Sequence, residues 1–308
     1  FFSRLGYVFD NKYILEANLR YDGSSRFHKD SRWGLFPGFS AAWRMSEENF
    51  SKDLNFFDDL KLRASYVQTG NQEGINLYDY YQLISIGRPW PYYPYPFGPG
   101  SQTPSAYSDT MVSLDRSWET IINRNIGVDF TILRSRLGFS FDVYQKTNRN
   151  MLIPVKYPAV LGAIPPLSNA GELKTTGFEA SVSWRDRVGE LNYSAKLILS
   201  DSRNKIVNYG GEDAVVPGLN TIREGYPLNT YFAYVFDGLL RTQKELDDYK
   251  LLNGVPAGDL GIGDARFKDI NGDGSIDPTH DLVEVGNTLP RFLYGLNLGA
   301  SYKNFDIS

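Results

Sequence analysis

From Tyr13 to Tyr21 every second residue is apolar: Tyr13, Leu15, Ala17, Leu19 and Tyr21 alternate with Ile14, Glu16, Asn18 and Arg20. Side chains point alternately to the two faces of a strand, so one face is greasy and aromatic-ended while the other is mostly polar. The same unit recurs along the chain. Leu5, Tyr7 and Phe9 alternate in the first strand, which the turn Asp10-Asn11-Lys12 joins to the second. Trp33, Leu35, Pro37, Phe39, Ala41 and Trp43 form the next row. Proline cannot donate to a ladder, so a bulge or bend is expected at Pro37. Ser46 to Phe50 has N-cap character and predicts a short helix start. Further rows are Leu60 to Tyr66, Arg124 to Ile132, Leu137 to Val143, Phe178 to Trp184, Leu191 to Leu199 and Phe292 to Tyr302, each taken at every second residue. A tenth strand begins at Phe305.

The connections alternate in length. Residues 10–12, 134–136, 185–190 and 303–304 are short turns, whereas 23–32, 70–118, 148–172 and 202–290 are long segments. Only the connection from Met45 to Asp59, on the short-turn side, breaks the rule. Trp33 and Trp43 stand ten residues apart, as do Phe292 and Tyr302. At about 3.3 Å per residue this is roughly 33 Å of strand. A tilt of about 40° projects that onto about 25 Å, the height of the apolar band of an outer-membrane barrel. The fold class expected is therefore all-β, a transmembrane antiparallel β-barrel of which this is a partial chain. A soluble β-sandwich or propeller also accommodates alternation. Its strands usually run to about five or six residues, however, and it explains neither the aromatic row ends nor the loop lengths. Trp33, Phe39, Phe130, Phe141, Leu197 and Leu296 are expected to face lipid. Glu16, Arg20, Asp129, Asp142 and Glu179 are expected to face the lumen.

Composition sharpens this picture. Aromatics reach 15% of 308 residues, with 21 Tyr, 19 Phe and 29 Gly, which favours strands and turns. Cysteine is absent, excluding a disulfide framework and thiolate metal sites. A net charge of -4 gives no basic footprint for nucleic acid. No run of about eighteen apolar residues predicts a membrane helix, and no signal-peptide pattern opens the chain. Strand patterning at both ends leads to the expectation of a fragment of a longer protein.

The sharpest local motif is Asp269-Ile-Asn271-Gly-Asp273-Gly274-Ser275-Ile-Asp277. Asp269, Asn271, Asp273, Ser275 (through its carbonyl) and Asp277 match positions 1, 3, 5, 7 and 9 of an EF-hand-like loop, with glycine at 6. His280 stands at position 12, where a carboxylate is usual, and Asp281 follows one residue late. One reading is a structural Ca²⁺ site that stiffens an external loop. The other is an Asx/Gly turn without metal. Trp90, Tyr92, Tyr93, Tyr95 and Phe97, set among prolines, offer flat faces for sugar or peptide, or packing against neighbouring loops. Asp58-Asp59 and Asp247-Asp248 read as solvated charges, His28 and His280 have no nucleophile constellation around them, and Gly261-Ile-Gly263 lacks the setting of a dinucleotide site. No catalytic motif is present, so the chain does not read as an enzyme.

Several stretches then carry a family resemblance. They are Arg20-Tyr-Asp-Gly-Ser-Ser-Arg-Phe27, Trp33-Gly-Leu-Phe-Pro37, Ala42-Trp-Arg-Met-Ser-Glu-Glu48, Leu60-Lys-Leu-Arg-Ala-Ser-Tyr66, Thr69-Gly-Asn-Gln72, Asn169-Ala-Gly-Glu172, Thr176-Gly-Phe-Glu179, Lys268-Asp-Ile-Asn-Gly-Asp-Gly274 and Ser301-Tyr-Lys-Asn-Phe-Asp306. In this order, along nearly the whole chain, they resemble the C-terminal barrel region of SusC/RagA-type TonB-dependent outer-membrane transporters of Bacteroidetes. The resemblance implies a barrel of about 22 strands with long extracellular loops at 70–118, 148–172 and 202–290, and a plug and N-terminal domains outside this chain. It implies import of oligosaccharides or peptides, a SusD-type surface lipoprotein as lid, and TonB as energy source. A surface glycan-binding β-protein without transport and a secreted β-rich glycosidase remain the alternatives. A glycosidase needs two positioned carboxylates, and no pair here has distinguishing context.

Overall fold

The computed structural model describes residues 1–52, 56–87, 105–108, 110–154, 158, 160, 165–210, 218–255 and 260–308. The chain divides into two compact units, residues 1–202 with 293–308, and residues 203–292.

The first unit is built on an antiparallel wall. Its strands are β1 (Phe2–Phe9), β2 (Tyr13–Gly23), β3 (Trp33–Arg44) and β4 (Phe57–Asn71). A small hairpin, β5 (Ser85–Gly87) with β6 (Ser105–Tyr107), interrupts the series before β7 (Glu119–Ile132), β8 (Leu137–Pro154), β9 (Leu167–Val188) and β10 (Leu191–Tyr209). After five further short strands, the wall is completed by β16 (Phe292–Tyr302) and β17 (Phe305–Ile307), giving the order β1-β2-β3-β4-β7-β8-β9-β10-β16-β17. All nine full rows and the tenth start expected from alternation are present.

Register keeps like with like. Tyr13 lies opposite Trp43, Ala17 opposite Phe39, and Tyr21 opposite Leu35. Further along, Phe130 lies between Leu60 and Phe139, and Val128 between Leu62 and Phe141. A one-residue slip would turn every one of these rings to the other face, so the apolar row itself locks the pairing. Cross-strand rings touch: Tyr21 and Trp33 stack with centroids 5.0 Å apart, and Phe130 and Phe139 at 4.9 Å. Trp33, Phe39, Leu197 and Leu296 on this face are exposed, while ring stacking leaves Phe130 and Phe141 half-buried.

Two expectations are corrected. Pro37 pairs with Leu19 in unbroken register, so of the bulge or bend expected there the bulge is absent. It lies just outside the β3–β4 ladder, which begins at Gly38 and Val67, so the missing N–H costs that ladder nothing. Strand pairing also runs far into 148–172, because β8 continues to Pro154 and β9 starts at Leu167. A ladder needs only backbone partners, so it outlasts the apolar pattern that revealed it; register shifts near Met151 mark the change.

At the long-connection end a small core ties the loops. Phe27 is fully buried with its ring 5.1 Å from that of Trp118, and Phe36 meets Trp118 edge-on at 5.6 Å. Trp118 Nε1 donates to the Arg32 carbonyl at 3.0 Å, and Arg26 donates to the Ile75 carbonyl. Asn169 clasps the backbone of Ser117, accepting from its N–H at 2.8 Å and donating to its carbonyl at 3.0 Å.

The second unit carries β11 (Gly218–Thr221), β12 (Thr230–Tyr234) and β15 (Leu282–Asn287) as one small sheet, and β13 (Phe236–Leu239) with β14 (Ala265–Phe267) as another. A helix, α2 (Gln243–Lys250), follows a shorter one, α1 (Asn49–Lys52), earlier in the chain. Its core is Leu240, Leu246 and Tyr249, backed by Leu252, Val255 and Leu260.

Candidate functional site

Two polar constellations stand out, one in each unit. The first lies on the polar face of the wall. Arg63 donates to Asp129 through Nε (2.7 Å) and Nη2 (3.0 Å), and Nη2 also reaches Asp142 Oδ2 at 2.9 Å. Asn125 donates to Asp142 at 2.9 Å, Ser140 to Asp129 at 2.8 Å, and Lys61 Nζ lies 3.2 Å from Asp129. The cluster staples β4, β7 and β8, and it neutralises Asp142, which faces Glu179 across β9. It fits only because Gly127 lies beneath it: a Cβ there would overlap Asp142 and come within 2.8 Å of Arg63 Nη2. Alternation foresaw Asp129 and Asp142 on this face, but not the arginine that joins them.

The second is the loop from Asp269 to Asp281. Asp269 caps it from within, accepting from the Gly272 N–H at 2.6 Å and the Gly274 N–H at 2.8 Å. Gly274, at position 6, takes φ +80, the left-handed turn that glycine adopts without steric penalty. Asn271 donates to Asp273 at 2.8 Å, and Asp273 accepts from the Ser275 N–H at 2.8 Å. Asp281 is completely buried; its two oxygens accept from the N–H groups of Ile270 (2.7 Å) and Asp277 (2.8 Å) and so close the loop. The loop also bonds backbone to backbone with the segment after α2: Asn253 donates to Gly274 at 3.0 Å and accepts from Ile276 at 2.8 Å.

Asp273, Asp277 and His280 bring ligand atoms within 4.8 Å of one another. His280 Nδ1 lies 3.2 Å from Asp277 Oδ2. That hydrogen bond holds the Asp277 carboxyl below its ordinary value and raises the His280 imidazole above its own. Burial, followed by the charges of Asp281 and Asp277, pushes the Tyr234 hydroxyl up. Carboxylate and amide oxygens are the ligands that Ca²⁺ takes, so the donor set suits a hard cation. The usual bidentate carboxylate of position 12 is unfilled, since His280 stands there and Asp281, one residue on, is completely buried. Sequence reasoning missed the closing role of Asp281; its only signal was an acid one residue out of place. Trp90, Tyr92, Tyr93, Tyr95 and Phe97 lie outside the described residues.

An apolar, ring-rich face on long strands, a charge-stapled opposite face, and connections short at one end and long at the other set the context for comparison with known proteins. The family described as TonB dependent receptor-like, beta-barrel matches residues 1–308. The chain belongs to this family. TonB-dependent receptor P26 of Formosa agariphila is 31% identical over the whole chain, which spans 31% of that relative's length. TonB-dependent receptor SusC of Bacteroides thetaiotaomicron is also 31% identical over the whole chain, which spans 30% of its length. Among solved structures, the RagAB peptide importer in its open-open state superposes with a TM-score of 0.75 at 24% identity, covering 99% of this chain and 31% of the other. Its closed-closed state gives 0.74. The chain is thus a partial wall of a TonB-dependent receptor-like β-barrel, similar to SusC along its whole length and to RagAB in fold. In a membrane barrel the apolar face is expected to meet lipid and the charged face the lumen.

Proposed function

We propose that the full-length protein imports a large hydrophilic nutrient, most simply an oligosaccharide, across the outer membrane, with a SusD-type surface lipoprotein as lid and TonB as the source of energy. The supporting observation is the family match along the entire chain. It is joined by a lumenal face whose charges suit a hydrated passage. A barrel of this size class is too wide for side chains to fill and needs a plug. On this reading the segments 70–118, 148–172 and 202–290 face the cell exterior, and Trp90, Tyr92, Tyr93, Tyr95 and Phe97 meet sugar rings or peptide. A peptide cargo is the second reading, favoured by the likeness to a peptide importer. A strain lacking the gene is expected to lose uptake of one polymer class while still taking up the monomers. Uptake of every oligosaccharide and peptide at the wild-type rate would defeat the proposal. Alanine at Trp90, Tyr92, Tyr93 and Tyr95 together is expected to weaken cargo binding; unchanged binding would make those rings packing residues.

The same reading makes the loop a structural Ca²⁺ site held by Asp269, Asn271, Asp273, the Ser275 carbonyl and Asp277. Without the position-12 carboxylate, its Kd is expected in the weak range of extracellular modules, about 10⁻⁴ to 10⁻³ M. Anomalous scattering from crystals grown in calcium-rich buffer tests this, and featureless density at the loop would leave an Asx/Gly turn.

A further inference from the structure

The connection that follows β3 at the short-turn end is built differently from its neighbours. Residues 10–12, 133–136, 189–190 and 303–304 contain no aromatic residue and, apart from Leu133, are polar, charged or glycine. The segment after Arg44 forms a 3₁₀ turn, Met45–Glu47, followed by α1. It folds back against the outward face. The Glu48 carboxylate accepts from the Tyr13 hydroxyl at 2.7 Å and from Trp43 Nε1 at 3.2 Å, and its other oxygen lies 3.5 Å from Lys12 Nζ. Tyr13 and Trp43 are cross-strand partners in the lipid-facing row, stacked 6.4 Å apart, so a carboxylate that both reach lies on that face. Phe50 meets Trp43 edge-on at 6.4 Å and is 55% exposed. Phe56 is 60% exposed and meets Phe57 edge-on at 4.9 Å; Phe57 in turn meets the lipid-facing Phe130 at 5.7 Å.

We propose that Phe50 and Phe56 of this connection form an interfacial membrane anchor, inserted among the phospholipid acyl chains of the leaflet at the short-turn end. The occupant follows from continuity: both rings extend aromatic rows that already face lipid. The polar groups agree. A carboxylate at the edge of hydrocarbon needs its lone pairs satisfied, and Glu48 has a cation and two ring donors to do so. Tyr13 and Trp43 present apolar rings with a polar handle, the residue types that settle at headgroup level. The proposal rests on membership of the barrel family and not on the cargo, so its failure would leave the import reading standing.

The test uses full-length protein in phospholipid nanodiscs. This part of the protein has no native cysteine to remove. Nitroxides are placed by Phe50→Cys and Phe56→Cys, with Leu296→Cys as the lipid reference and Asn304→Cys as the aqueous one. Both anchor labels are expected to collide with oxygen as the Leu296 label does, and several-fold less with a water-soluble nickel chelate than the Asn304 label. Nickel collisions equal to those at Asn304 would place the rings in water and overturn the proposal. Shielding from both reagents would mean a protein partner covers them, and would overturn it equally. If a cysteine variant fails to assemble, Phe50→Trp and Phe56→Trp report the same environment. Lipids brominated in the upper acyl chain are expected to quench the added indole, and no quenching beyond the wild-type protein would reject the anchor.

Discussion

Arg63 shows how much a single lumenal side chain can hold. It gives three charge-assisted hydrogen bonds to two carboxylates on two different strands, and such bonds are roughly twice as strong as neutral ones. Replacing it with methionine keeps the bulk and leaves Asp129 and Asp142 side by side without their cation. Arg63→Met is expected to destabilise the barrel by about 1–3 kcal/mol, the usual cost of stranding a polar partner. Thermal unfolding in detergent would read it, and an unchanged Tm would show that water and Lys61 replace the guanidinium at no cost. That Asp129 and Asp142 share a face was legible from alternation. The clasp was not, because it depends on β4 and β7 becoming neighbours across the long segment between them.

At the scale of elements, α2 is the clearest case of local chemistry. Thr242 caps it, its hydroxyl accepting from the Glu245 N–H at 3.2 Å, and the Glu245 carboxylate reaches back to the Arg241 N–H at 2.7 Å. This reciprocal pair is a variant of the capping box. Thr242→Ala is expected to cost about 0.5–2 kcal/mol, seen as faster amide exchange in α2. The backbone bond from Arg241, then that from Thr242, holds the Glu245 carboxyl below its ordinary 4.5. A depressed folded value means that the stabilisation is fully present above about pH 4.5 and is lost as pH falls through the lower folded value. Protection of α2 amides should therefore fall on acidification through that window in the wild type, and much less in Glu245→Gln. The helix was missed in the sequence because its eight residues are mostly polar. Leu246 and Tyr249 become a core only once Leu240, Leu252 and Leu260 close over them.

The molecule as a whole separates two solvents. Leu15, Trp33, Phe39, Ile126, Val143, Leu296 and Leu298 are all exposed on one face, far more apolar surface than a protein in water leaves open. Phe141 lies within that face, flanked by Phe139 and Phe178. Phe141→Arg is expected to cost about 2–4 kcal/mol when folding is measured in bilayers, as for a cation near the midplane. A penalty near zero would mean that the position is wet. The same substitution at Ser40, an exposed residue opposite Glu16 on the charged face, is expected to assemble with little loss, so the contrast between the pair tests which face meets lipid.

The strand rows, their facing and the alternation of short and long connections were determined by the sequence alone. All of them follow from a period of two that the solvents on either side impose residue by residue. The turn at residues 10–12 was equally local, and Asp10 and Asn11 take positive φ there. Tertiary structure alone decided three things. It joined Arg63 of β4 to Asp129 of β7 and Asp142 of β8. It extended β8 and β9 beyond their apolar pattern, because backbone pairing needs no particular side chain. It buried Phe27 and Asp281, both in stretches that read as polar loop. The Arg63 clasp and the burial of Phe27 depend on residues far apart in the chain, Asp129 and Asp142 in one case and Trp118 in the other; the ladder extension and the closure by Asp281 depend on backbone groups that side-chain patterning does not reveal.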